Sequence, residues 1–176
     1  MKRILDLYLR QLSKRPWTTQ AVTTGFLFCA GDVIAQQAIE RRGTSGHQWR
    51  RSAIMTGVGF CVAAPALRGW YMTLERIFPA NVAMAPLKKM VLDQALFAPT
   101  FLAGFFGILG VLEGKSWQEI HGRYMNDYIP ALKTNYMIWP GVQMLNFYII
   151  PFQHRVTFVN VIALGWNSYL AWKAHT

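Results

Sequence analysis

The chain alternates between long stretches without any charged side chain and short connections that carry the charges. Five windows contain no Asp, Glu, Lys, Arg or His: residues 16–31, 52–67, 94–112, 134–153 and 156–172. A helix needs about 20 residues to cross a hydrocarbon core about 30 Å thick. The third and fourth windows meet this length, and the first two do so only if their helices continue past Asp32 and Arg68. The pattern predicts an all-α, polytopic transmembrane helix bundle.

The predicted bundle is a single integral membrane domain that covers residues 1–176. Its spans are approximately 17–39, 52–74, 91–112 and 131–150, with a further hydrophobic helix over 154–172. Four or five spans are expected, because Trp139-Pro140 interrupts the fourth apolar stretch and little polar sequence separates it from the last. A soluble helical bundle is the alternative, but each of its surface helices would need a polar face, and these windows offer none with charge.

Two further helices are predicted outside the spans. Residues 2–15 are basic and amphipathic, with Ile4, Leu5, Tyr8, Leu9 and Leu12 on one face. Such a segment is typical either of a mitochondrial targeting sequence or of a helix that lies on lipid headgroups, and both interpretations stay open. Ser116 and Glu119 have the spacing of a capping box, which predicts a short surface helix.

Composition supports a membrane environment and points to an anionic partner. Hydrophobic residues make up 53% of the chain and charged residues 15%, against roughly 45–50% and 25% in average soluble domains. Eighteen Lys and Arg against eight Asp and Glu give a net charge of +10. Because the basic residues are spread over several connections, we expect the lipid bilayer, cardiolipin included, as the partner and no direct binding of nucleic acid.

Small and polar residues form a narrow stripe on each predicted span when residues are placed at 100° intervals. The buried polar or pore-lining candidates are Asp32, Gln36, Arg68, Asp93, Gln143, Asn146 and Asn167. The stripes of the second and third spans also contain small residues, namely Ala53, Gly57, Cys61, Ala64, Thr100, Gly104 and Gly107. The stripes are either packing seams or the walls of a hydrated interior. Since an unpaired ion at depth is costly, a pair of Asp32 or Asp93 with Arg68 would satisfy both interpretations.

Catalytic and metal-binding chemistry finds little support in the sequence. The stretch 110–116 has one residue fewer between its glycines than a phosphate loop requires. The four histidines are scattered, and no Ser/His/Asp or Cys/His set lies in the spans. We therefore expect no enzyme, no catalytic residue, no metal and no cofactor. Cys29 and Cys61 are interpreted as small buried thiols.

Motifs along nearly the whole chain resemble those of one membrane protein family. They are Arg15-Pro16-Trp17, Gly31-Asp32 with Gln36-Gln37, Gly69-Trp70-Tyr71, Lys88-Lys89 with Asp93-Gln94, Trp139-Pro140, Gln143, Asn146-Phe147, Pro151, Arg155, Trp166-Asn167-Ser168-Tyr169-Leu170 and Trp172-Lys173-Ala174-His175. This set resembles the Mpv-seventeen and peroxisomal membrane protein family.

The resemblance implies a four-span protein of the mitochondrial inner membrane, with the peroxisomal membrane as the alternative. It further implies a weakly selective channel for small metabolites, anionic ones included, with links to deoxynucleotide supply, mitochondrial DNA maintenance and reactive oxygen species. The alternative is a non-conducting structural or assembly protein that binds cardiolipin or a partner complex, and a homo-oligomer is left open. At the motif positions, Trp139-Pro140 would kink a span and Arg155 would lie at a span boundary, within reach of a headgroup or an anionic solute.

Overall fold

The computed structural model describes residues 2–173 of the chain and shows only helices and connections there. In chain order, the helices are α1 (Lys2–Lys14), α2 (Pro16–Ile39), α3 (Trp49–Ile77), α4 (Ala85–Leu112), α5 (Trp117–Arg123), α6 (Ile129–Tyr148) and α7 (Arg155–Lys173). The predicted all-α class is therefore confirmed. Ala174 and His175 of the carboxy-terminal motif, together with the side chains of Ile4 and Leu5, lie outside the described residues.

Three of these helices, α2, α3 and α4, are long and apolar enough to cross a membrane. Large apolar side chains also point away from the bundle, among them Phe26 at 69% exposure and Val111 at 68%. Exposed apolar surface of this kind is stable against lipid and costly in water. The chain is a membrane protein with an apolar exterior, and the three helices account for the first three predicted spans.

Helix α2 is the centre of the bundle and packs along both α3 and α7. Glycines permit the close approach: a Cβ at Gly31 would lie 2.7 Å from the Cβ of Asn167 on α7, and one at Gly59 would lie 2.8 Å from the Cβ of Phe28. Small residues at such contacts let helix backbones approach and gain dispersion energy. Helix α4 completes the bundle by packing its first turns against α6.

Two clusters of buried apolar side chains fill the spaces between the helices. One joins α2, α3, α4 and α7 around Phe28, Met55, Phe105 and Leu109. The other joins α3, α6 and α7 around Tyr71, Leu74, Trp139, Phe147 and Val156. Polar side chains are buried between and beside these clusters, and they form the site described below.

Each of the three long helices contains one π-helical turn, at Ala35–Ile39, Gly59–Ala63 and Asp93–Phe97. A π-helical turn inserts an extra residue and rotates the following helical face. The stripes predicted at 100° per residue therefore change face on α3 and α4. On α3, Ala53, Gly57 and Cys61 are exposed and Ala64, beyond the turn, is buried; on α4, Asp93 is buried and Thr100 and Gly104, beyond the turn, are exposed. On α6 and α7 no π-helical turn intervenes, and the predicted polar stripes are buried.

The ends of the helices follow from local sequence. Pro86 lies in the first turn of α4, where its missing N–H costs nothing, so the helix begins several residues before the predicted position 91. The Ser116–Glu119 capping box is present at the start of α5, as predicted. Pro140 lies inside α6, and the helix continues through it. Helix α1 packs on the bundle through buried Leu12 and a hydrogen bond of 3.1 Å between the hydroxyl groups of Tyr8 and Thr157.

Candidate functional site

Asp32 is the centre of a buried hydrogen-bond network at the end of α2. Its Oδ1 atom accepts from Arg51 Nε at 2.6 Å, and its Oδ2 atom accepts from Ser52 Oγ at 2.6 Å and Gln36 Nε2 at 2.8 Å. Arg51 also donates to the backbone oxygen of Ala171 at 3.2 Å, which joins α3 to α7. A buried carboxylate with three donors, one of them cationic, is fully compensated. Asp32 therefore stabilises the meeting point of three helices.

Glu40 extends this network past the end of α2. It pairs with Arg51 through a hydrogen bond of 3.0 Å and also accepts from Arg42. Burial favours the neutral carboxylic acid, but the two arginines outweigh it and hold the pKa of Glu40 below its usual value. Glu40 thus remains ionised at neutral pH, and Arg51 is shared between its carboxylate and that of Asp32.

Asp93 has a different environment, because its donors are neutral. Its Oδ1 atom accepts from Trp70 Nε1 at 2.8 Å, and its Oδ2 atom accepts from Gln143 Nε2 at 2.9 Å. Gln143 continues the chain of hydrogen bonds, since its Nε2 donates to Tyr71 Oη at 3.1 Å and its Oε1 accepts from Asn146 at 2.9 Å. Helices α3, α4 and α6 are therefore connected by side chains that act both as donors and as acceptors.

A third group of charges lies where α3 ends and α4 and α7 begin. One carboxylate oxygen of Glu75 accepts from Lys89 Nζ at 2.5 Å and from Arg155 Nη1 at 2.6 Å. Arg155 also donates to the backbone oxygen of Ile150 at 3.1 Å. Arg155 is at the start of α7, the boundary position that the sequence indicated. It is buried, and its pairing with Glu75 connects α7 to α3. Two cations on one carboxylate leave this group with one excess positive charge.

Arg68 lies apart from both aspartates. Its Nη1 atom donates to Gln20 Oε1 at 2.9 Å, and its guanidinium lies 4.9 Å from the centre of the Trp17 ring. Among the described residues no ion pair joins it to Asp32 or Asp93, so the predicted pairing is wrong. The partner of Asp32 is Arg51. Because Arg51 lies directly before the charge-free window 52–67, the hydropathy pattern does not indicate it as a residue at depth.

A cavity of about 60 Å³ lies between α2, α3, α4, α6 and α7. Its polar lining residues are Asp93, Gln94, Asn135, Trp139, Gln143, Asn160 and Asn167. Four buried polar atoms on these residues make no hydrogen bond within the described part of the chain: Gln94 Oε1, Asn135 Oδ1, Trp139 Nε1 and Asn167 Nδ2. Buried polar groups without partners cost free energy. The cavity thus offers two donors and two acceptors to a small hydrogen-bonding guest.

The predicted candidates separate into two sets. Asp93, Gln143, Asn167 and Trp139 line the cavity, whereas six others do not: Asp32, Gln36, Arg68, Asn146, Pro140 and Arg155. Asn146 reaches the cavity indirectly through its hydrogen bond to Gln143. Asp93 is the one charged side chain among the lining residues. The wall of the cavity is largely apolar, with a few polar groups contributed by several helices, and its charged side chain, a carboxylate, does not attract anions.

Several residues of the site were missed by the sequence analysis. Gln94 follows the predicted candidate Asp93. It is the first residue of the charge-free window 94–112, so the hydropathy pattern does not distinguish it from the apolar residues that follow. Tyr71 and Trp70 count as apolar in any hydropathy pattern, although their Oη and Nε1 atoms bind Gln143 and Asp93. Only their position one and two residues after Gly69, inside a family-like motif, could have indicated a special role. Within residues 2–173, no group of three or more His, Cys, Asp or Glu side chains could hold a metal ion.

Apolar outer surfaces around a buried polar network define an α-helical integral membrane protein. Residues 110–171 match the Mpv17 / PMP22 family. The Mitochondrial inner membrane protein Mpv17 of Xenopus laevis is 49% identical over 96% of this chain and 95% of its own length. The human protein of the same name is 45% identical, with 96% of each chain covered. Protein sym-1 of Neurospora crassa is 46% identical over 96% of this chain and 98% of its own. No solved structure matches the chain.

The chain belongs to the Mpv17 / PMP22 family, as the motifs in the sequence indicated. It is a protein of the mitochondrial inner membrane, the location stated in the names of its vertebrate relatives. The motif residues have structural roles in the bundle: Gly31 and Asn167 form the α2–α7 contact, and Asp93 and Gln143 are bonded to each other.

Proposed function

We propose that the chain is a weakly selective channel of the mitochondrial inner membrane for small metabolites. Through such a channel it would support deoxynucleotide supply and mitochondrial DNA maintenance. The observation that carries this proposal is the central cavity, where amide, indole and carboxylate groups from several helices meet with four polar atoms unpaired. A bundle that only packed helices together would gain stability by replacing these groups with apolar ones. Their retention favours a role in contacting polar solutes.

Under this proposal, the structure is the closed state of the channel. A volume of about 60 Å³ accommodates a few water molecules and is too small for a metabolite. Conduction therefore requires a helix such as α6 or α7 to move outward. The short Phe152–His154 turn, which follows Pro151, lies between the end of α6 and the start of α7 and is a place where such a movement would occur. We further propose that α6 and α7 cross the membrane with α2, α3 and α4, since α7 packs along α2 and α6 packs on α4.

The lining of the cavity favours uncharged, hydrogen-bonding solutes. Asp93 is its charged group, and Arg68 lies elsewhere with Gln20. Small anions are the alternative class of solute. They would need a conduction path that passes Arg68 or Arg155, because the cavity itself has no cationic lining residue. A comparison of deoxyguanosine, glycerol and lactate as transported solutes separates these two cases.

Reconstitution of the purified chain in liposomes tests the proposal. Efflux of radiolabelled glycerol and deoxyguanosine should exceed that of protein-free liposomes. Asn135→Leu fills the cavity and removes an unpaired acceptor, so it should abolish efflux, whereas Asn126→Leu changes an exposed residue in the same part of the chain and should not. Circular dichroism must show equal helicity for both variants. Efflux that is absent in the wild type, or equal in both variants, would refute conduction through this cavity.

A non-conducting structural or assembly role is the second candidate, and the hydrogen bonding of the charged residues favours it. Asp32 has three donors, and Asp93 also has three, at 2.8, 2.9 and 3.0 Å. Carboxylates whose oxygens already accept hydrogen bonds from the protein hold helices together and leave few lone pairs for a solute. In this role the chain would bind cardiolipin or a partner complex through its basic connections, and liposomes would show no efflux.

A further inference from the structure

A basic cleft lies at the end of the bundle where the α2–α3 connection meets the turn between α4 and α5. It has a volume of about 540 Å³. Its charged lining residues are Arg42, Arg50, Arg51, Lys115, Arg123 and Glu113. Five cations therefore surround one carboxylate. Even when the partners Asp32, Glu40 and Glu119 are included, this region keeps an excess positive charge.

The cations of the cleft differ in how firmly they are held. Arg51 is buried against Asp32, and Arg123 pairs with Glu113 at 3.1 Å. Arg50 is exposed and donates to the backbone oxygens of Leu112 at 3.0 Å and Glu113 at 3.5 Å, at the end of α4. Lys115 makes a loose, exposed pair of 3.7 Å with Glu119. A guanidinium has five N–H groups, so Arg50 keeps donors for an anion without giving up these carbonyl contacts.

An apolar groove adjoins this cleft on the outer face of α4. It has a volume of about 400 Å³ and is lined by Gly104, Gly107, Ile108, Val111 and Trp117, among others. The groove exists because Gly104 and Gly107 have no side chains, and a Cβ at Gly104 would meet no atom within 4 Å. The groove includes Leu112 and the cleft includes Glu113, so Arg50 lies at the junction of the two. Basic and apolar surfaces are thus continuous.

Two exposed tryptophans mark this end of the bundle as a membrane boundary. Trp49 lines the basic cleft with 74% of its surface exposed, and Trp117 lines the apolar groove with 76% exposed. Tryptophan rings are enriched at the level of lipid headgroups, where one part of the ring is apolar and its N–H is wet. The groove therefore extends from this boundary towards the hydrocarbon, in the direction that an acyl chain takes.

We propose that the cleft and groove form one binding site for an anionic phospholipid, with the phosphate at Arg50 and Lys115 and an acyl chain along Gly104 and Gly107. Guanidinium groups bind phosphate oxygens through paired N–H donors. The adjoining apolar groove favours a lipid over a free phosphate as the ligand, because it offers a surface for an acyl chain. The site does not depend on conduction through the central cavity, so a failed efflux experiment leaves it standing.

Native mass spectrometry of the full chain in detergent, with added lipid, measures this binding. The probes are cardiolipin, phosphatidylglycerol and phosphatidylcholine. The double variant Arg50→Gln/Lys115→Gln should weaken cardiolipin and phosphatidylglycerol binding by roughly tenfold or more. Its matched control is Arg76→Gln/Lys88→Gln, which removes one exposed arginine and one exposed lysine at other positions and should leave binding unchanged. Phosphatidylcholine should bind weakly to all three proteins.

A second pair of variants tests the groove without changing charge. Gly104→Leu fills the groove and should weaken the two anionic lipids several-fold, whereas Gly165→Leu, at another exposed helical glycine with free space around its Cβ, should not. Inorganic pyrophosphate at millimolar concentration should fail to displace the lipid. The proposal is overturned if both double variants bind lipid equally. It is also overturned if pyrophosphate displaces lipid while Gly104→Leu has no effect, because the cleft would then be a site for soluble phosphates.

Discussion

The buried pair of Asp32 and Arg51 makes an asymmetric prediction about stability. Asp32 is 0% exposed and Arg51 4%. In Asp32→Asn, the arginine keeps Glu40 as its counter-ion at 3.0 Å, so we expect a loss of about 1–3 kcal/mol in the free energy of unfolding. In Arg51→Met, the aspartate keeps only the neutral donors Ser52 and Gln36. An uncompensated buried charge costs about 3–5 kcal/mol, so Arg51→Met should be the more damaging change.

The double variant Asp32→Asn/Arg51→Met extends this argument. With Asn at position 32, removal of the arginine no longer leaves an uncompensated charge there. The loss in the double variant should therefore be smaller than the sum of the two single-variant losses by about 1–3 kcal/mol. Unfolding in mixed micelles with an increasing fraction of sodium dodecyl sulfate, followed by circular dichroism, gives the free energies. Arg50→Met is the matched control, because Arg50 is exposed and its loss should cost under about 1 kcal/mol. Equal losses for the two single variants, or simple additivity, would refute the reasoning.

Three further predictions concern other parts of the bundle. Gly31→Ala should lower the unfolding midpoint in the same micelle assay, because its Cβ would lie 2.7 Å from that of Asn167, whereas Gly165→Ala should not lower it. Ser116→Ala removes the cap of α5 and should destabilise that helix by about 1 kcal/mol, measurable as faster amide hydrogen exchange there, with unchanged exchange in α2 as the control. Glu40, whose pKa in the folded chain lies below its usual 4.5 because its arginine partners outweigh burial, contributes stability that is present above pH 4.5 and is lost as pH falls through the lower folded value. The wild type should therefore lose more stability on acidification through this range than Glu40→Gln, and parallel pH profiles would contradict this.

The helical segments could be predicted because apolar runs, caps and prolines act locally. The fourth and fifth predicted segments, 131–150 and 154–172, agree within a few residues with α6 and α7, and the capping box correctly placed the start of α5. On α6 the predicted alignment of Asn135, Trp139, Gln143 and Asn146 is also correct. An uninterrupted α-helix repeats at 100° per residue, so its buried face can be calculated from spacing alone.

The same calculation failed where the backbone departs from regular α-helix. The π-helical turns at Gly59–Ala63 and Asp93–Phe97 rotate the faces of α3 and α4, and no residue type in these segments indicates such a turn. The partner of Asp32 was likewise outside the reach of pattern analysis. Arg51 lies at the start of α3, and only the antiparallel packing of α2 and α3 brings it to the carboxylate.

Membrane environment, helical class and family follow from the order of residues, because hydropathy, local backbone preference and motif identity need no knowledge of long-range contacts. The assignment of partners depends on the packed bundle: Asp32 with Arg51, Asp93 with Trp70 and Gln143, and Arg68 with Gln20. The central cavity depends on it as well, since its polar residues come from separate helices. Hydrogen bonds and ion pairs are set within a few tenths of an ångström, and such distances between helices are fixed only when all the helices pack together.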